Sequence, residues 1–214
     1  MKLPNFLGLF ADGKEIDTEI GRVTLRARPA GELTVTSGRV VACDPLSSPE
    51  DGPYARAVPA GTFPVTLGVA HFEDGDRRVA GALVRFAEGA PASWEMALRE
   101  GEELSELDED EVFGYPVDSG TGCFMDEEMA RLVAGRADDD EAFADAVIDE
   151  MERNYEDTWS WADIELDPDS GANIVAFSTG VGDGRYASYF GLGESGEVVC
   201  LVTDFSLFEY EDFA

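Results

Sequence analysis

Two runs rich in β-branched and apolar residues, 62–72 (TFPVTLGVAHF) and 78–86 (RVAGALVRF), flank the acidic tetrapeptide Glu73-Asp74-Gly75-Asp76. Glycine among acids favours a tight turn, so this stretch reads as an antiparallel hairpin and leaves no room for a long helix. The same grammar of short apolar runs punctuated by glycine returns at 22–28 (RVTLRAR) and 33–43 (LTVTSGRVVAC), with Gly31 and Gly38 as the punctuation. It appears again at 172–179 (ANIVAFST), 184–191 (GRYASYFG) and 196–203 (GEVVCLVT), whose glycine-rich spacers predict a meander of antiparallel strands. Residues 44–59 (DPLSSPEDGPYARAVP) contain four prolines and two adjacent serines, which continue neither a ladder nor a helix.

Helical periodicity is confined to the middle of the chain. Asp126 reads as an N-cap, followed by Glu127 and Glu128 at the positive end of the dipole, an apolar stripe of Met129, Leu132 and Val133, and Gly135 as the stop. A second helix, about residues 140–153, sets Phe143, Ala144, Val147, Ile148 and Met151 on one face and Glu141, Asp145, Asp149 and Glu152 on the other. Residues 99–111 (REGEELSELDEDE) are dominated by acids and read as a solvated connector. The class expected is α+β: predominantly antiparallel β-sheet with two helices inserted before a C-terminal β-meander, in a single domain over 1–214.

Asp and Glu number 46 against 15 Lys and Arg, a formal charge of −31, while 44% of residues are apolar. The apolar share is enough for a core, so the acids belong on its outside. A polyanion of this strength repels nucleic-acid phosphates and anionic membrane leaflets and attracts cations and basic proteins or peptides. Lys2 and Lys14 are the only lysines, so codon bias or adaptation to salt accounts for the acidity equally well without any partner. Cys43, Cys123 and Cys200 are odd in number and lack CxxC spacing, which points to reduced, partly buried thiols. The N-terminal apolar patch is broken by Pro4 and Gly8, and no apolar run reaches the length of a membrane span, so a cytoplasmic location is expected. Oligomeric state leaves no mark in the sequence.

Four separated blocks carry a family likeness: 37–46 (SGRVVACDPL), 58–65 (VPAGTFPV), 114–126 (GYPVDSGTGCFMD), and 180–192 (GVGDGRYASYFGL) with 200–205 (CLVTDF). In this order they resemble the bacterial family DUF4241 over about residues 31–205. The resemblance implies one intact domain there and brings no activity, cofactor or partner with it.

Candidate chemistry is sparse. Asp118-Ser119-Gly120 and Asp169-Ser170-Gly171 have the local form of an aspartic-protease dyad, but Asp167-Pro168 stands where an apolar strand should precede the second copy. Turns favour the same residue types. Asp44, Asp118, Asp126, Asp183 and Asp204 lie at strand ends or glycine turns, from which oxygen ligands reach Mg²⁺ or Ca²⁺, although no EF-hand spacing is present. The glycines at 180–184 lack the following helix of a phosphate loop, and His71, the only histidine, cannot serve a mechanism that needs two. Trp159, Trp161, Tyr186 and Tyr189 fit either a packed core or an acid-flanked aromatic groove for a cationic segment.

Together these features favour an acidic cytoplasmic binding protein directed at a basic protein or peptide, with an immunity- or antitoxin-like block of a cationic effector as one concrete form. No cofactor is expected beyond a divalent cation. The competing expectation is a metal-dependent hydrolase with Asp118, Asp126 and Asp183 as ligands, which requires those carboxylates to converge on one ion.

Overall fold

The computed structural model describes residues 4–18, 21–49, 51–108, 111–135, 141–169 and 171–208. A 3-10 turn at Phe6–Phe10 precedes β1 (Glu15–Thr18) and β2 (Gly21–Val35). β2 does not stop at Gly31. Its ladder shifts register between Pro29 and Glu32, where Gly31 takes φ 109°, and a Cβ there would lie 2.1 Å from Asp163 Oδ2. Only glycine bends the strand this way against so close a neighbour.

The apolar run 33–43 is two strands rather than one, because the chain turns after Val35 into β3 (Val40–Cys43), which joins a different sheet. The expected hairpin forms as β4 (Gly61–Phe72) and β5 (Arg77–Arg85), and β6 (Ser93–Met96) follows as an edge strand. Next come β7 (Tyr115–Val117), β8 (Thr121–Asp126), α1 (Glu127–Ala134) and α2 (Glu141–Arg153). The final strands are β9 (Trp161–Asp167), β10 (Ala172–Ser178), β11 (Gly184–Tyr186), β12 (Ser188–Leu192) and β13 (Val198–Asp204). Asp140, the expected start of the second helix, lies outside the described residues.

Strand accounts for 47% and helix for 15% of the molecule, which makes it α+β with sheet dominant and two helices inserted before the C-terminal strands. The larger sheet has the order β1-β2-β4-β5-β13-β12-β6, the smaller β3-β8-β10-β9, and β11 pairs with β7. Neighbouring C-terminal strands are antiparallel, β9 with β10 and β12 with β13, and the chain changes sheet between the two hairpins.

Side-chain parity defines the layers. Leu33, Val65, Val84, Phe124, Val175, Phe177, Phe190 and Leu201 form the core between the sheets. The alternate residues Val41, Cys43, Cys123, Met125, Ile174 and Ala176 face Met129, Val133, Phe143 and Val147 of the helices. The smaller sheet is thus covered on both faces, which is why β3 and β8 are buried throughout and read as continuous apolar runs. Phe124 and Phe177 meet edge-on with centroids 5.1 Å apart, and truncating either to Ala costs about 3–5 kcal/mol.

α1 begins as expected, with Asp126 accepting from Glu128 N, but Gly135 keeps a right-handed φ of −71° and closes the helix through its N–H to Arg131 O. On α2, Phe143 and Val147 are buried, whereas Ile148 remains 44% exposed because the apolar face is wider than the sheet beneath it. Among the described residues, no helix is long and apolar enough to cross a membrane.

Candidate functional site

An acidic concavity lies at the tip of the β4–β5 hairpin. A groove of about 590 Å³ is lined by Phe72, Glu73, Asp74, Asp76, Arg78, Val181, Ser206 and Leu207. The turn is closed by Phe72 N donating to Asp76 O at 2.9 Å, and Asp74 Oδ1 accepts from Asp76 N at 3.0 Å. Glu73 and Asp74 therefore project from a fixed loop into solvent.

A second turn braces this loop from the side. Thr158 Oγ1 donates to Arg77 O (2.6 Å), accepts from Arg77 N (3.0 Å) and lies 2.9 Å from Asp76 Oδ1, while Asp157 pairs with Arg77 at 2.9 Å. To make these contacts Asp157 and Thr158 take φ of 28° and 75°, a left-handed backbone that is costly for a β-branched residue. Burial would raise the Asp76 carboxyl pKa, but bonds from Arg78 Nε (2.8 Å) and Thr158 outweigh it and hold the group below the ordinary carboxylate range. The groove thus presents three carboxylates against one guanidinium, beside the apolar surfaces of Phe72, Leu207 and Val181, the last 71% exposed.

A second cleft, of about 560 Å³, lies along edge strand β6 and is lined by Arg56, Glu95, Met96, Leu98, Leu104 and Phe190. Arg56 and Glu95 neutralise each other there through a two-point ion pair, so this cleft offers little net charge.

The three carboxylates expected to ligate a metal do not converge as a set. Asp118 and Asp183 are exposed in adjoining turns, since β7 and β11 pair Val117 with Gly184, whereas Asp126 is fully buried at the far end of β8. Its Oδ2 accepts from Thr36 N, Ser37 N and Ser37 Oγ (2.9, 2.9 and 2.7 Å), and its Oδ1 from Glu128 N and Thr36 Oγ1 (2.9 and 3.2 Å). Those donors occupy its lone pairs and fasten the β2–β3 turn to the start of α1. Asp44 does the same for the β7–β8 turn, accepting from Leu46 N, Ser47 N and Ser119 Oγ on Oδ1 and from Asp118 N and Ser119 N on Oδ2. Asp204, buried at the end of β13, accepts from Ser206 N at 2.9 Å. Among the described residues no group of three or more His, Cys, Asp or Glu is placed to hold a metal ion.

Asp118 and Asp169, the acids of the two Asp-Ser-Gly segments, lie in turns at opposite ends of the smaller sheet. β10 pairs Ser178 with Thr121 at one end and Ile174 with Met125 at the other, which puts the turns about 20 Å apart at 3.3 Å per residue. A shared-proton dyad needs carboxylates in contact.

Of the aromatic candidates, Trp159, Tyr186 and Tyr189 are buried, and Trp161 is half-buried against the core. Trp159 is 2% exposed and stacks on Trp161 at 5.4 Å, and Tyr189, 7% exposed, stacks on Phe6 at 4.0 Å. Tyr186 meets Phe205 edge-on at 5.0 Å and donates to Gly182 O at 2.8 Å. Stacking needs apolar cover, which the space between the sheets gives Trp159 and Tyr186 and the Phe6–Phe10 turn gives Tyr189. The apolar members of the groove, Phe72, Val181 and Leu207, escaped notice in the sequence. Val181 alone left a trace, as one aliphatic residue inside a Gly-Asp turn.

No curated protein and no solved structure matches the chain significantly. The family described as "Protein of unknown function (DUF4241)" matches residues 33–203, most of the chain, and the protein belongs to that family.

Proposed function

We propose that this protein acts by binding, and that its acidic surface takes a basic protein or peptide in the cytoplasm. An immunity- or antitoxin-like role, in which the acidic face covers a cationic effector, is one form of this reading. The observation that carries it is the groove at the β4–β5 hairpin, where Glu73, Asp74 and Asp76 stand beside Phe72, Val181 and Leu207. An arginine side chain has a charged end and an apolar stem, and such a groove offers a partner to each. The long-range field of a chain at −31 adds attraction for cations and speeds encounter.

The test is charge reversal at the rim. An arginine-rich peptide with interspersed apolar residues, titrated calorimetrically, should lose at least about tenfold in affinity in the double variant Glu73→Lys, Asp74→Lys. The control is Glu88→Lys, Glu194→Lys, which changes net charge equally at exposed positions away from the groove. Equal losses in the two variants would reduce the attraction to unspecific field and remove the groove from the argument.

A further inference from the structure

Acids outnumber bases by 46 to 15, yet among the described residues the half-buried guanidiniums of Arg26, Arg28, Arg39 and Arg85 pair with no carboxylate, and the first two share one strand. Val23 and Leu25 of β2 point to the outer cluster with Leu9 and Ile16, so Arg22, Thr24, Arg26 and Arg28 lie on the opposite face. Cross-strand register then sets their neighbours. Thr24, His71 and Arg77 form one row across β2, β4 and β5; Arg26, Val69 and Val79 form the next; Arg28 stands opposite Leu67 in the third. Successive rows on one face are about 7 Å apart, so three guanidiniums and the only imidazole of the chain share one small patch.

Arg22, outside the patch, pairs with Asp17 at 2.8 Å, and Arg77 within it pairs with Asp157 at 2.9 Å. Arg26 and Arg28 make no ion pair among the described residues, and Arg28 contributes only a long contact of 3.5 Å to Ala27 O. Arg26, Arg28, His71 and Arg77 are all partly withdrawn from water. Withdrawing a cation without a counter-charge is unfavourable, and a surface this rich in carboxylates had every means to supply one.

We propose that Arg26 and Arg28, with His71 and Arg77, bind a small oxyanion of the phosphate class. Guanidinium forks match phosphate oxygens bidentately, and a neutral imidazole adds one N–H donor. The overall negative field does not forbid it, because charges more than about 8–10 Å away are screened in physiological salt while contacts inside the patch are not. The site is independent of the cationic partner taken at the hairpin groove. His71 already registers the patch: burial foremost, then the charges of Arg77, Arg28 and Arg26, hold its pKa below the ordinary histidine range, and Glu156 opposes them.

Because His71 is the sole histidine, its imidazole C2–H resonance reports on the patch without interference. The experiment is an NMR pH titration of the full chain in sodium chloride and in inorganic phosphate at matched ionic strength, with sodium acetate as a third arm. Phosphate should raise the His71 midpoint by about half a unit or more, since an anion offsets the guanidinium charges. Arg28→Gln should raise the midpoint without any added anion and abolish the response to phosphate. Arg26→Gln provides the same readout should the first variant fold poorly. Equal midpoints in phosphate and chloride would overturn the proposal, as would a phosphate response that survives in both variants. An acetate response as large as that to phosphate would overturn the assignment to the phosphate class.

Discussion

Gly68 and Gly81 face each other across β4 and β5, and Leu9 rests on them, its backbone on Gly68 and its side chain on Gly81. A Cβ on Gly68 would lie 2.3 Å from Leu9 O, and one on Gly81 would lie 2.9 Å from Leu9 Cδ1. The glycine pair makes a flat seat on the outer face of the larger sheet, which lets the Phe6–Phe10 turn insert Phe6 and Leu9, both at most 2% exposed, into the clusters there.

Gly68→Ala should therefore destabilise. Removing a glycine restricts the unfolded chain and would by itself add about 0.4–1 kcal/mol of stability, but a clash with backbone atoms costs about 1–3 kcal/mol and prevails. Gly52→Ala, with nothing within 4 Å of the added Cβ, isolates the favourable part. Urea unfolding should place the two variants on opposite sides of the parent, and matching midpoints would mean that Leu9 is not seated on this pair.

Asp126→Ala should cost about 2–4 kcal/mol, because it removes a helix cap and leaves the N–H groups of Thr36, Ser37 and Glu128 without their acceptor. For a chain of this size that corresponds to a fall in melting temperature of about 5–15 °C. The wild-type melting temperature should not respond to Mg²⁺ at constant ionic strength. A rise with Mg²⁺ would restore a metal role for the aspartates.

Much of the local structure could be read from the sequence, because it is set by neighbours in the chain. The acidic turn after Phe72 specified its own hairpin, Asp126 its own helix, and Phe143 with Val147 the buried face of α2. What escaped depends on distant partners. Asp44 and Asp126 look like turn aspartates until residues 75 and 89 positions away supply their donors. β9 went unread because Asp163 and Glu165 interrupt its apolar pattern, and Asp163 is there to meet Glu32 N and Asn173. Trp159 and Tyr189 carry the same side chains whether they line a groove or a core; the second sheet decides for Trp159, and Phe6 of the N-terminal turn decides for Tyr189. Arg26 and Arg28 vanish into a charge count until strand register groups them with His71.

The three thiols should be silent in the native protein. Cys43 and Cys123 oppose each other with sulfurs 3.7 Å apart and no exposure, and burial first, then the Cys43 thiol, pushes Cys123 far above its ordinary pKa. Burial lifts Cys200 to about 11, which leaves about one thiolate in a thousand at pH 8. A chromogenic disulfide reagent should count none before denaturation and three after it. Rapid native labelling of even one would contradict the packing of β3 against β8 or of β12 against β13.

Asp44 should contribute to acid sensitivity, with a sign that follows from its environment. Burial would raise its pKa, but the Asp118 N–H together with Ser47 and Ser119 outweighs that and holds it below the ordinary value. The unfolded chain binds this proton near pH 3.9, and the folded one only at lower pH. Between those two points the unfolded state carries more protons, so the stabilisation from Asp44 is complete above about pH 3.9 and is lost as pH falls through the folded pKa. Asp44→Asn removes the titration while keeping one acceptor oxygen for the β7–β8 turn. Urea unfolding of both proteins from about pH 5 to pH 2 should show the variant less stable at the upper end and the two curves converging toward the lower. Parallel curves over that range would mean that the carboxylate of Asp44 ionises alike in the folded and unfolded chain, and that its five donors confer no preference for the charged form.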